Sequence, residues 1–119
     1  MGGVAQSRWG RAAMQSEIDL LLKELKEALR QIYQENLGGL YLYGSYANGE
    51  DDPESDLDVA IVLKDFDDYW EEVQRTSDII SELSLKHGVS ISPVRIHEAD
   101  WVGEDSPFLN NVRKECIPL

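Results

Sequence analysis

The feature that most constrains the fold is the run Asp56 to Leu63, aliphatic and β-rich from Leu57 onward with acidic side chains only at Asp56 and Asp58. Such a run predicts the central strand of a sheet. Strand side chains alternate, so Asp56 and Asp58 are expected on one face with Cα atoms about 7 Å apart. Both carboxylates could then reach one hard cation. Alone, the pair would read as exposed acids at a strand edge. An otherwise apolar strand, however, has little other reason to carry two acids on one side.

The flanking segments supply the other layers. Ser16 and Asp19 signal a helix start, after which Ile18, Leu21, Leu22, Leu25, Leu29, Ile32 and Tyr33 recur at helical spacing. Asn36 to Gly39 ends that helix, and Leu40 to Tyr43 predicts a short strand running into Gly44 and Ser45. Glu50 to Glu54, with Pro53, reads as a solvated acidic loop. Asp67 is expected to cap a second helix with Trp70, Val73, Ile80 and Leu83 on one face, ending near His87 and Gly88. Val89 to Ile96 predicts a third strand, and Ser106 and Pro107 open a last helix through Phe108, Leu109, Val112 and Cys116. The expectation is a tail over residues 1–15 and one α+β domain over 16–119, a small mixed sheet covered by helices on one face.

Composition narrows the function. A chain of 119 residues has room for one core. Its 23 acidic and 11 basic residues give a net charge of -12, which repels nucleic-acid phosphates and disfavours direct nucleic-acid binding. No apolar run spans a bilayer. A lone cysteine and the lack of a secretory leader point to the cytoplasm.

The chemistry lies in Gly44-Ser45, ten intervening residues, and Asp56-Leu57-Asp58. Two close carboxylates repel each other unless a divalent ion holds them ionised. Magnesium fits, because it takes oxygen ligands and fills its remaining positions with phosphate and water. Gly44 permits close backbone approach, and Ser45 opens a turn whose N–H groups and hydroxyl suit a triphosphate. This pairing suits in-line attack on an α-phosphorus with pyrophosphate departing.

These residues resemble the polymerase-β-like nucleotidyltransferase superfamily, whose signature is a Gly-Ser, a spacer and an Asp-x-Asp strand. The match is nearest to its minimal nucleotidyltransferase (MNT) members, the MntA-like antitoxins of HEPN/MNT toxin–antitoxin pairs, and spans Leu21 to Leu119. The segment Pro107 to Glu115 also looks like the family's usual close. The resemblance implies the polymerase-β-like fold, with magnesium on Asp56 and Asp58 as the catalytic acids and ATP held by Gly44, Ser45 and Ser55. It further implies AMP transfer to a tyrosine of a HEPN-domain ribonuclease toxin, as in a type VII-like pair. An acidic surface suits a basic partner; self-association is left open.

One departure stands out. The superfamily commonly places a third carboxylate on the later strand, where this chain has Ser90 and Ser92. Either the third acid is dispensable, or Glu98 or Asp100 replaces it, or activity is weak. The alternatives are therefore an antitoxin acting by contact alone, or a transferase for a small, aminoglycoside-like molecule. Among secondary positions, Trp70 and Trp101 are expected to pack, with Trp101 also a candidate cover for the site. Tyr46 is expected either to pack or to touch nucleotide, His87 and His97 to lie at the surface, and Arg95 to face the site.

Overall fold

The computed structural model describes residues 2–48, 55–103 and 106–119, with side chains described from Ser16 onward except at Ser45 and Asn48. The acidic loop expected over 50–54 lies outside them. Strand β2 (Leu57–Leu63) is central: six of its seven residues are buried, and it pairs on both edges. β1 (Leu37–Tyr43) runs antiparallel to it and β3 (Ile91–His97) parallel, and a two-residue β4 (Ile117–Pro118) closes the other side of β1. The order β3-β2-β1-β4 makes a small mixed sheet.

Alternation divides β2 between two cores. Leu57, Val59, Ile61 and Leu63 face the long helices α1 (Gly2–Tyr33) and α3 (Tyr69–His87), where Leu21, Leu25 and Leu29 are fully buried. Each such side chain contributes about 1.5–3 kcal/mol of burial. Ala60 and Val62 face the other way, onto Trp101 of α4 (Glu98–Gly103) and Leu109 and Val112 of α5 (Pro107–Glu115). The long helices thus cover one face as expected, while two short helices add a layer on the other. α4 and β4 were not legible in advance; α4 carries only one buried residue, too few for a period.

Boundaries moved for local reasons. α1 starts at Gly2, ahead of Ser16, its early turns carrying the helix formers Ala5, Gln6, Arg8, Arg11, Ala12 and Ala13 among three glycines that do not favour helix. β1 starts at Leu37, its register shifting between Leu37 and Gly39 where it takes up the two glycines. Asp68, not Asp67, caps α3 by accepting from the Trp70 N–H at 2.9 Å. Gly88 ends α3 at φ +66, and Ser106 caps α5 by accepting from the Leu109 N–H at 3.1 Å.

Trp70 departs from expectation: it sits on the first turn of α3 and is 63% exposed. The inner face of that helix carries Ile80 and Leu83 as expected, with Glu72 and Thr76 in place of Trp70. Nor is His87 a surface residue. Its buried ring joins α3 to α1 between Glu17 (2.7 Å from Nδ1) and Glu24 (3.5 Å from Nε2).

Candidate functional site

β1 ends at Tyr43, and Gly44 turns the chain at φ +76 into the single helical turn α2 (Ser45–Asn48), whose Ala47 N–H donates to the Gly44 carbonyl at 3.1 Å. A Cβ placed on Gly44 would collide with Oδ2 of Asp58. Glycine is thus required twice, by the left-handed backbone and by the carboxylate lying flush against it. This contact joins the two halves of the motif.

Asp58 is also fixed laterally. It pairs with Tyr43 across the antiparallel ladder and stands beside Ser92 in the parallel one. Partial burial pushes its carboxyl above the usual carboxylate range, and the charge of Asp56 pushes it further the same way. Asp56 lies one residue before β2 and is exposed, so the pair combines a recessed acid with an open one. Burial also raises the Tyr43 hydroxyl, with the charge of Asp58 adding to it and Tyr69 contributing.

Mutual repulsion of this kind is what a cation would relieve. No cluster of three or more His, Cys, Asp or Glu side chains converges among the described residues. Two carboxylates alone suit magnesium better than calcium or zinc, because magnesium retains waters and shares substrate phosphate oxygens. The residues present therefore fit that ion.

Of the five residues singled out from the sequence, the fold brings Gly44, Asp56 and Asp58 together. Ser45 follows Gly44 as the first residue of α2, its side chain outside the described set, and Ser55 precedes Asp56, half-buried. Three secondary expectations are corrected. Arg95 does not face the site: it is 7% exposed, its Nη2 donates to Thr76 Oγ1 at 2.5 Å, and its guanidinium lies 5.8 Å over the Tyr69 ring. Alternation turns it toward α3, because Val94 and Ile96 take the opposite face. Glu98 does not replace the third acid, since its carboxylate lies against Gly38, next to the Gly39–Val62 pair and roughly 13 Å along β2 from Asp58. Trp101 stacks on Tyr41 at 4.7 Å in the second core and does not cover the acids.

Tyr46 packs against the main core. The sequence pattern missed Tyr43, which crosses from Asp58 to Phe108 of α5 with ring centroids 6.2 Å apart. Its place immediately before Gly44 was the available signal.

The nucleotidyltransferase domain model matches residues 22–115, from the first core turn of α1 to the end of α5 and across the whole site. The chain belongs to the nucleotidyltransferase domain family. Two proteins of Methanocaldococcus jannaschii that carry the name putative protein adenylyltransferase, MJ0141 and MJ0604, are similar to it. The first is 40% identical over 78 residues, 66% of this chain and 78% of the relative; the second is 36% identical over 73 residues, 61% and 67%. A toxin–antitoxin crystal structure with AMP-PNP has a chain similar in fold, with a TM-score of 0.54 at 18% identity, covering 87% of this chain and 69% of that one. A tri-AMPylated HEPN toxin in complex with MNT antitoxin, from Shewanella oneidensis, gives 0.54 at 19% identity, covering 84% and 69%. At these identities the likeness is one of fold, and it agrees with the mixed sheet and helices of this nucleotidyltransferase. No helix of the described residues is long and apolar enough to cross a membrane.

Proposed function

We propose that this nucleotidyltransferase is a magnesium-dependent protein adenylyltransferase that moves AMP from ATP onto a tyrosine of a HEPN-domain toxin and so acts as its antitoxin. The observation that carries the reading is the closure of Gly44 onto Asp58 beside Asp56, which sets a close-approach turn against a pair of recessed and open carboxylates. Similarity to the M. jannaschii protein adenylyltransferases supports protein adenylylation, and the toxin–antitoxin complexes of similar fold, one with AMP-PNP and one with a tri-AMPylated HEPN toxin, support a HEPN partner and an adenine nucleotide.

In this reading Asp56 and Asp58 hold the metal, and Gly44, Ser45 and Ser55 hold the phosphates. Magnesium, when bound, neutralises charge on the transferring and leaving groups. Gly44 lets the phosphate chain approach the backbone without a side chain between them. The buried β2 keeps Asp58 from drifting, because its register is held on both edges.

The test is incubation with α-labelled ATP, magnesium and the protein encoded beside this chain. Label on that neighbour with wild type, and none with Asp56→Ala/Asp58→Ala, is expected. No label under conditions where the two proteins bind would remove the claim. One observation favours a second reading, an antitoxin that neutralises by contact: Ser92, and not an acid, stands beside Asp58. On that reading the double alanine variant still protects cells.

A further inference from the structure

The strand order places Asp58 on β2, between Gly44 at the end of β1 and Ser92 on β3. In transfer from a nucleoside triphosphate, the attacking and leaving oxygens lie roughly in line through the α-phosphorus. If the leaving pyrophosphate rests at the Gly44 turn, the acceptor enters from the β3 side. That side carries an open groove of about 520 Å³ along the outer edge of β3, walled by Phe66, Tyr69, Val94, Phe108 and Leu109.

Three features connect the groove to the site. Val94 lies two residues beyond Ser92 on the same face of β3, so the groove floor continues the line of the carboxylates. Tyr43 spans the gap, in register with Asp58 at one end and in edge contact with Phe108 at the other. Phe108 is 50% exposed and Tyr69 44%, so aromatic surface stays open to the groove even though Tyr43 meets one edge of Phe108 and Arg95 covers one face of Tyr69.

The groove's charge and the missing acid specify the occupant. Asp67 and Asp100, both exposed, line it together with His97 and Arg95, and the Arg95 charge is offset because that side chain is 7% exposed with its guanidinium engaged by Thr76 and Tyr69. With the chain at -12 overall, a cationic segment is drawn in and an acidic one repelled. Ser92 offers no general base near neutral pH, which favours an acceptor hydroxyl that ionises readily: a phenol, with an ordinary pKa near ~10, over an aliphatic alcohol.

Resting on the adenylyltransferase reading, we infer that this groove is the acceptor site, taking a basic segment of the partner protein and holding its tyrosine between Phe108 and Tyr69 with the hydroxyl directed at Asp58. The phenol oxygen bonds to the α-phosphorus, and the bond from that phosphorus to the α,β-bridging oxygen breaks. Pyrophosphate leaves with the electron pair, and the phenolic proton passes to water.

The test is an amide NMR titration of the full chain with four separate probes: a peptide with one tyrosine flanked by arginines, the same peptide with glutamates, magnesium-ATP, and kanamycin. The arginine peptide is expected to shift Tyr69, Val94, Phe108 and Leu109, and the glutamate peptide is not. Phe108→Ala and Asp100→Lys should each weaken the arginine peptide by about fivefold or more. Magnesium-ATP should shift Gly44 and Asp58 and leave the groove alone in every variant. The groove assignment is overturned if magnesium-ATP perturbs Phe108 and Leu109, if the glutamate peptide binds equally, if kanamycin alone occupies the groove, or if the arginine peptide shifts nothing there. Failure of magnesium-ATP to move Gly44 and Asp58 would instead count against the transferase reading.

Discussion

Gly44 and Asp58 share one contact in which neither has slack: the backbone turns at φ +76 where a side chain would have to occupy the space of the Asp58 carboxylate. Gly44→Ala is therefore expected to act twice. The left-handed backbone costs an L-residue about 1–2 kcal/mol, which lowers the melting temperature. Displacing the carboxylate by even ~1 Å costs on the order of 100-fold in rate. A thermal melt with a labelled-ATP assay should show a modest stability loss beside a collapse of transfer; full activity would mean that the contact does not serve the chemistry.

What was legible in advance followed from strong local chemistry. The apolar run after Asp58 announced the central strand, the leucines from Leu21 to Leu29 announced the core face of α1, and Ser106 with Pro107 announced α5. What was not legible depended on pairing. Arg95 and Val94 are adjacent in sequence and face opposite layers, and only the register of β3 against β2 decides which sees the site. Likewise Ser92 acquires meaning only because that register sets it beside Asp58. Trp70 misled for a related reason: its spacing with Val73 and Ile80 is helical, but in that first turn of α3 it is Glu72 that points inward, and Trp70 is left 63% exposed.

Asp58 gives the fold a pH signature. Its carboxyl is raised above 3.8 by burial and by Asp56, so its protonated form stabilises the fold. That contribution is present below the unfolded value and is lost as pH rises through the folded one. At neutral pH the metal-free protein thus carries an unfavourable ionised acid. Asp58→Asn should melt higher than wild type at pH 7, and the difference should close as pH falls below 3.8. Magnesium should raise the wild-type melting temperature while leaving the variant nearly unmoved. A variant that melts lower at neutral pH would contradict the repulsion.

Ser92 offers a gain-of-charge test. Neighbouring strands lie about 4.8 Å apart, so Ser92→Asp adds a third carboxylate next to the existing pair. Without metal it should lower the melting temperature through repulsion. With metal it should reduce the magnesium needed for half-maximal transfer by on the order of tenfold, as one further charged ligand would. Ser92→Ala should leave the rate within about twofold, since a serine of ordinary pKa does not take the acceptor's proton at neutral pH. A large loss in the alanine variant would assign the hydroxyl a direct role.

Arg95 separates a structural cation from a phosphate ligand. It is buried between β3 and α3, its Nη2 donating to Thr76, whose own hydroxyl donates to the Glu72 carbonyl at 3.0 Å. Its Nε finds no hydrogen-bond partner among the described residues, so the charge is held by incomplete bonding and by the Tyr69 ring. Arg95→Ala should destabilise by about 2–4 kcal/mol, from the cavity and the lost bond to Thr76, whose hydroxyl keeps the Glu72 carbonyl as its acceptor. Arg95→Met, which refills the volume without the charge, should recover most of that loss. Calorimetric titration of magnesium-ATP into Arg95→Met should give wild-type affinity; a loss of tenfold or more, about 1.4 kcal/mol, would return the guanidinium to the nucleotide.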